Sequence, residues 1–254
     1  MDRVDLNADL GESYGVYTLG DDDALLQSVT SAKIACGFHA GDPGTMARAV
    51  AFCIERGVAL GAHPGLPDLA GFGRRVLAVT PAEARDLVTY QIGALAAFAA
   101  RHGQKLQHVK PHGALYGMAE RDPALAQAIA QAVREADAGL ILVGLSGGRL
   151  AAVGRELGLR VAHEVFADRS YAPDGTLTPR GQPDAVLHDP EQVAARIVRL
   201  AREGKIAATD GSDLTPITDT ICLHGDSPGA AQLAKAVRQA LEAEGIAILP
   251  LGTS

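Results

Sequence analysis

The sequence predicts an α/β fold, a closed parallel (β/α) barrel of about seven or eight units. Three observations carry that prediction. Short apolar runs alternate with longer helical patterns almost from end to end. Nearly every apolar run hands over to a Gly- or Pro-bounded loop carrying an ionisable group, as when an α/β protein sets reactive side chains at the carboxyl ends of its strands. These loops are spread along the whole chain, whereas an open doubly wound sheet would gather them at one switch point. No linker, low-complexity segment or charge run interrupts the pattern, so a single domain spanning 1–254 is expected.

Taken in order, Arg3 to Ala8 is the first strand, in DLNADLGE, and leads to Asp9 and Glu12. Asp21 to Val29 is a short helix whose acidic first turn suits the helix dipole. Ala32 to Cys36 is the second strand, and IACGFHAGD carries it into His39 and Asp42. Pro43 fits the first turn of a helix, where its missing N–H costs nothing. That helix runs to Arg56, where Gly57 stops it. Val58 to Ala62 is the third strand and ends at His63. Thr80-Pro81-Ala82-Glu83 is a cap, Pro and acid sequence opening a long helix to Arg101. Leu106 to Lys110 is a strand followed by His112, and Asp122-Pro123 opens the next helix. Leu140 to Val143, Arg160 to Phe166 and Thr220 to Leu223 are further strands; the last two carry the ionisable groups Glu164, Asp168 and Arg169, which end VAHEVFADR, and His224 and Asp226, which end ICLHGD. Helices lie near Arg149, Val193 and Leu233, and Ile246 to Leu249 is a final strand. His63 to Thr80 and Asp168 to Asp189 are long for loops and rich in Gly, Pro, Asp and Arg, so they are expected to cover the mouth.

The chain has 254 residues, 47% of them hydrophobic, which suffices for a large core. With 4% aromatics and no Trp, aliphatic and Ala packing must supply most of the burial. A net charge of −7 argues against nucleic acid or an anionic membrane as partner. Cys36, Cys53 and Cys222 are odd in number and two lie in apolar runs, so they read as reduced core thiols. The charged start MDRVDLNADLGE is no signal peptide, and no apolar run reaches the ~18 residues of a membrane span. A cytoplasmic location is expected.

Four of the eight histidines, His39, His63, His112 and His224, fall at strand ends beside Asp9, Glu12, Asp42, Asp168 and Asp226. One such histidine is as readily a structural hydrogen-bonder as a ligand; four beside five carboxylates argue for a functional cluster. His102, His108 and His188 look peripheral, and His163 is ambiguous. Imidazoles and carboxylates at one mouth allow two chemistries. Without metal, one group takes a proton from water while another protonates the leaving group. With a divalent metal, two histidines and an aspartate form an open hydrolytic site, for which Asp9, His39 and His63 are the candidates. No HExxH motif is present. Lys110 either pairs with a mouth carboxylate or stabilises a developing oxyanion. Arg74, Arg75 and Arg169, in the long loops, suit anion binding or structural ion pairing; with Asp42 and Asp226 they are candidate substrate-binding residues. Gly144-Leu145-Ser146-Gly147-Gly148-Arg149 lacks Walker spacing, no G-x-G-x-x-G is present, and a tight turn is the reading of these glycines.

Together and in order, DLNADLGESYG, SAKIACGFHAGDP, GAHPGLPDLAGFGRR, YQIGAL, VKPHGALY, EVFADRSY and CLHGD resemble the LamB/YcsF family, from Val4 to about Pro228. The resemblance implies a distorted (β/α) barrel of about seven parallel strands, of the glycoside hydrolase/deacetylase type. It also implies an ATP-dependent 5-oxoprolinase that opens the lactam ring of 5-oxoproline (pyroglutamate) to L-glutamate. This chain would act with partner subunits B and C, which would bind ATP and phosphorylate the lactam for this chain to hydrolyse. Asp9, Glu12, His39, His63, Lys110, His112, Asp168 and His224 fall inside matching motifs and are carried over as candidate catalytic residues. Lys33 and Gly117 stand where the family usually has Asn; Lys33, early in its strand, is expected to point away from the site. Two other readings compete. A stand-alone metal-dependent deacetylase or carbohydrate hydrolase predicts a tightly bound metal and activity without ATP. A scaffold that merely docks the partners predicts that His39→Ala or Asp9→Asn changes nothing.

Overall fold

Every barrel strand in this chain is short, and closure depends on register. The computed structural model describes residues 1–253. In chain order the elements are β1 (Arg3–Leu10), α1 (Asp22–Leu26), β2 (Ser31–Ala35), α2 (Pro43–Glu55), β3 (Ala59–His63), α3 (Pro81–Ala100), β4 (His108–Val109), α4 (Gly113–Arg121) and α5 (Pro123–Ala136). There follow β5 (Ile141–Leu145), α6 (Arg149–Glu156), β6 (Arg160–Phe166), α7 (Pro190–Glu203), β7 (Ile206–Ala207), β8 (Asp213–Leu214), β9 (Thr220–His224), α8 (Ala230–Ala243) and β10 (Ala247–Ile248). Strands β1 to β6 pair in sequence, all parallel; β9 pairs with both β6 and β1 and closes a seven-stranded barrel. β10 adds to the start of β1, and β7 with β8 forms a separate antiparallel hairpin. Among the described residues no helix is long and apolar enough to cross a membrane.

The caps form where the residue types place them. Asp42 accepts from Thr45 N at 3.0 Å with Pro43 in the first turn of α2. Thr80 and Glu83 make both bonds of a capping box at α3. Asp122 ends α4 and caps α5. α4 itself begins inside the stretch VKPHGALY and runs on to Arg121, where the sequence pattern does not predict a helix. Gly113 and Gly117 lower its intrinsic propensity and no side chain caps it; it forms because Ala114, Leu115 and Ala119 are buried against the core. The regular part of β4 is only His108–Val109, shorter than expected, because Pro111 has no N–H to extend the ladder. Gln107 N and Lys110 N still donate to Leu60 O and Ala62 O of the neighbouring strand.

Each strand turns one set of side chains to the helices and the other to the barrel axis. Leu6, Ala8 and Leu10 of β1, with Ile34, Ala62, Val109 and Leu223, join helix residues such as Val50, Leu95, Ile129 and Val237 in one continuous apolar layer. A fully buried Leu or Ile there is worth roughly 1.5–3 kcal/mol. The inner face is different. Asp5, Asn7, Asp9, Lys33, His63, His108, Lys110, Glu164, Thr220 and Cys222 are all buried, and most of the barrel interior is polar. A small separate apolar cluster of Ile141, Val143, Ala162 and Leu251 fills the β5–β6 side. The two long loops fold over the carboxyl ends of the strands, as expected, and contribute Arg74, Val76, Arg169, Leu177 and Arg180 to a cavity there.

Candidate active site

Two buried ammonium groups and two buried carboxylates cluster at the base of that cavity: Asp9 and Lys110 line its floor, and Lys33 and Glu164 pair with them without lining it. Lys110 Nζ lies 3.0 Å from Glu164 Oε2 and 3.5 Å from Asp9 Oδ1. Lys33 Nζ lies 3.0 Å from Asp9 Oδ1 and 3.3 Å from Glu164 Oε1. Both ammonium groups reach Cys222 Sγ at 3.2 Å. Charges this deep persist only when paired, and here two of each sign balance. Burial pushes Asp9 up, but His63, Lys110 and Lys33 outweigh it and hold the carboxyl well below its ordinary range. Burial is likewise overcome at Glu164 by Lys110 and Lys33. Burial alone would lower Lys110, yet Asp9 and Glu164 keep it firmly protonated. Cys222, pushed up by burial and by Asp9 and Glu164, stays a neutral thiol that accepts from both lysines.

Beside this floor Glu12, His39, His63 and His112 converge from three strand ends and the start of α4. His63 Nδ1 donates to Lys110 O at 2.7 Å, and its Nε2 lies 3.3 Å from Asp9 Oδ2 and 3.0 Å from His112 Nδ1. His112 Nε2 donates to Phe72 O at 2.8 Å. His39 stacks flat on His112, with ring centroids 3.7 Å apart. Burial is the main cause that lowers all three imidazoles toward the neutral form, His39 and His112 well below the ordinary value. Burial, then Asp9 and Asp226, pushes the Glu12 carboxyl well up. Glycines make room for the rings: a Cβ on Gly65 would sit 2.5 Å from His39 Nδ1, and one on Gly73 2.9 Å from His112 Cδ2. Gln91 of α3 holds Gly65 by both its N–H and its carbonyl at 2.9 Å.

On the opposite wall His224 Nδ1 donates to both Asp168 oxygens, at 2.8 and 2.9 Å. That fixes the tautomer and leaves Nε2 free, the arrangement of an oriented general base. Phe166 stacks on His224 and receives Lys110 Nζ over its face at 4.6 Å. The cavity has a volume of about 390 Å³, within the usual range of small-molecule sites. Arg74, Arg169 and Arg180 line its upper part. Arg74 is held by Asp226 at 2.7 Å. Arg169 is committed to backbone, donating to Ala185 O and Thr178 O, and so braces the 168–189 loop.

Of the expected residues, Asp9, Glu12, His39, His63, Lys110, His112, Asp168 and His224 are brought together. Two candidates for substrate binding lie elsewhere. Asp42 is engaged as the cap of α2 and by Gly15 N, which lowers its carboxyl to about 2. Arg75 is exposed and paired with Asp68 outside the cavity. Asp226 acts through Arg74. His108, expected to be peripheral, is buried inside the barrel opposite Gly61, and burial lowers it to about 3. His163 lies on the outer face against Arg155. Arg180 and Tyr116 are site residues that sequence reasoning does not single out; Glu164 is read as an ionisable group at a strand end but is not carried forward as a candidate site residue. The Gly144–Arg149 turn has its helix N-terminus filled by Glu120, which accepts from Arg149 N and Leu150 N.

Residues 4–254 match the profile of the LamB/YcsF family. The chain belongs to the LamB/YcsF family. A protein from Bordetella pertussis named as the A subunit of 5-oxoprolinase is 57% identical over 245 residues, 96% of this chain and 97% of that one. One of the same name from Pyrococcus abyssi is 52% identical, with 98% of each chain covered. The crystal structure of a lactam utilization protein from Thermus thermophilus matches with a TM-score of 0.93 at 49% identity, over 97% of this chain and 99% of that one. Against the LamB/YcsF pattern both departures fall at the site. Lys33 does not point away: it is fully buried on the barrel axis between Asp9 and Glu164. Gly117 lines the cavity, where a Cβ would sit 3.4 Å from the Arg121 guanidinium.

Proposed function

We propose that this LamB/YcsF chain is the lactam-hydrolysing component of an ATP-dependent 5-oxoprolinase, acting with subunits B and C. The observation that carries the reading is its identity, above 50% over nearly full length, to chains named as the A subunit of 5-oxoprolinase. The cavity supports it chemically. Ring opening requires water to add to the lactam carbonyl carbon, the C–N bond to break, and the ring nitrogen to leave with a proton. His224, oriented by Asp168, takes the proton from water at Nε2 and returns one to the nitrogen. Lys110, kept cationic by Asp9 and Glu164, offers a positive charge to the anionic phosphoryl group on the activated lactam oxygen. Arg74 and Arg180 supply forks for the substrate carboxylate or a phosphoryl group. Phe166, Tyr116 and Leu177 give the ring an apolar wall.

An unactivated lactam is a stable amide, and this chain carries no ATP motif. In the proposed division of labour the partners transfer the γ-phosphoryl group of ATP to the lactam oxygen and release ADP. Water then opens the activated ring here, and a second water splits off inorganic phosphate to leave glutamate. The test is glutamate release from 5-oxoproline and ATP, with the chain, the partners, and all three together. Glutamate is expected only from the complete mixture, and Asp168→Asn should slow it by roughly 100- to 10,000-fold. No glutamate from the complete mixture of folded proteins, or full turnover by folded Asp168→Asn, would overturn the reading.

A further inference from the structure

We propose that Glu12, His39, His63 and His112 form a binding site for one first-row divalent cation of the zinc type, beside the lysine-bearing floor of the cavity. Such a site goes beyond the lactam reading and does not depend on it. Backbone carbonyls fix the protons of two of the rings. A carbonyl only accepts, so His63 must carry its proton on Nδ1, facing Lys110 O at 2.7 Å. For the same reason His112 carries its proton on Nε2, facing Phe72 O at 2.8 Å. A neutral imidazole has one N–H. The inner nitrogens, His63 Nε2 and His112 Nδ1, are therefore both lone pairs, and they face each other at 3.0 Å with no hydrogen between them.

The remaining atoms deepen the deficit. Glu12 Oε1 lies 3.8 Å from His112 Nδ1 and 3.6 Å from His39 Nε2, and it has no hydrogen-bond partner. Neither nitrogen of His39 has one. All four side chains are at most 5% exposed, so bulk water does not supply the missing donors. One ligand atom from each lies within 4.8 Å of every other. Only His39 carries an uncommitted N–H, and it reaches no acceptor at hydrogen-bond distance; a buried excess of lone pairs is what a cation satisfies.

A second proton on His63, shared with Asp9 Oδ2 at 3.3 Å, is the competing solution. It removes the clash between the two imidazoles but leaves Glu12 Oε1 and both His39 nitrogens unpartnered. A cation serves all four residues. Three imidazole nitrogens and one carboxylate oxygen suit zinc and its first-row neighbours rather than magnesium or calcium. The carbonyls behind His63 and His112 are the outer partners that fix a metal-binding imidazole in its tautomer. His39 is the weakest member, since its ring lies parallel to that of His112 rather than pointing with it. Asp9, the carboxylate expected to complete a triad with His39 and His63, is instead engaged through Oδ1 by two lysines. With all four side chains as ligands the set is closed, so a bound ion would fix their geometry at the cavity edge.

The test is direct binding to the chelator-treated full chain, by calorimetric titration with Zn²⁺ and by the visible absorption of added Co²⁺. Wild type is compared with His63→Ala, His112→Ala, Glu12→Gln, His39→Ala and, as a control outside the set, His224→Asn. One equivalent should bind to wild type and to His224→Asn, with Co²⁺ giving the intense visible bands of a low-coordinate site. His63→Ala and His112→Ala should each lose at least 100-fold in affinity, and Glu12→Gln and His39→Ala roughly 10-fold. Glu12→Gln preserves shape, so it reports even if a histidine variant fails to fold. The proposal is overturned if wild type takes up no stoichiometric Zn²⁺, or if Glu12→Gln and the folded histidine variants bind as wild type does.

Discussion

The residue that most changes the view of this barrel is Lys33. Its ammonium has no access to solvent and is flanked by Asp9, Glu164 and Cys222. It does not line the cavity, whereas Lys110 does. The two lysines therefore share a charge-balancing role, and only one of them can touch substrate. Lys33→Met removes one of two cations facing two carboxylates. Removing one partner of a buried pair costs about 3–5 kcal/mol, because the charge left behind is uncompensated. Urea denaturation should show a loss of that size for Lys33→Met and a similar one for Lys110→Met. Under the proposed function, glutamate formation by the chain together with subunits B and C separates them: turnover should vanish in folded Lys110→Met and persist, reduced, in folded Lys33→Met. Equal stability of Lys33→Met and wild type would mean that Asp9 and Glu164 do not need the second cation.

At the scale of elements the inner faces of the strands decide how much the sequence could show. Reactive groups at strand ends are legible because a period of two stops abruptly at Gly or Pro, and DLNADL, ALGAH and TICLH each put the same parity inward. Lys33 is not, because its direction depends on which β1 residue stands beside it. The register sets Lys33 next to Asp9, and no single strand encodes that offset. Arg180 and the bracing role of Arg169 are hidden for a related reason: the 168–189 loop has no period, and only its folded path brings one guanidinium over the cavity and turns the other to backbone. His108 is misplaced by sequence reasoning because its partner is a missing side chain. Gly61 faces it across the β3–β4 pair, and a Cβ there would fall 2.1 Å from His108 Nε2. Gly61→Ala should therefore destabilise by about 1–3 kcal/mol, the usual cost of overpacking, read as a shift in the denaturation midpoint. Gly61→Ala combined with His108→Ala should recover part of that loss, and no recovery would show that the strain lies in the backbone of β3.

For the whole molecule, a polar barrel axis makes stability depend on pH with a predictable sign. His108, lowered by burial to about 3, stays neutral in the folded state while an unfolded histidine takes up a proton near its ordinary 6.5. The unfolded chain then binds more protons than the native one, so stability falls as pH drops below 6.5. His39, His63 and His112 are lowered too and act in the same direction. The slope tends toward roughly 1.4 kcal/mol per pH unit for each histidine that stays neutral in the fold. Glu12 opposes this: its raised carboxyl is protonated first in the native state, which gains stability as acid is added. The paired carboxylates Asp9, Glu164 and Asp168 lie below their ordinary values, so their contribution is intact at pH 5 and is lost only at lower pH, as each is forced to protonate. Acid unfolding should thus come in two stages, a decline from about pH 6.5 carried by histidines and a steeper collapse below about pH 4 carried by carboxylates. Denaturation midpoints of chelator-treated protein between pH 7.5 and 3.5 would show it, with His108→Gln flattening the first stage. A midpoint that stays level from pH 7 to 5 would mean that the buried imidazoles gain protons without opening the barrel.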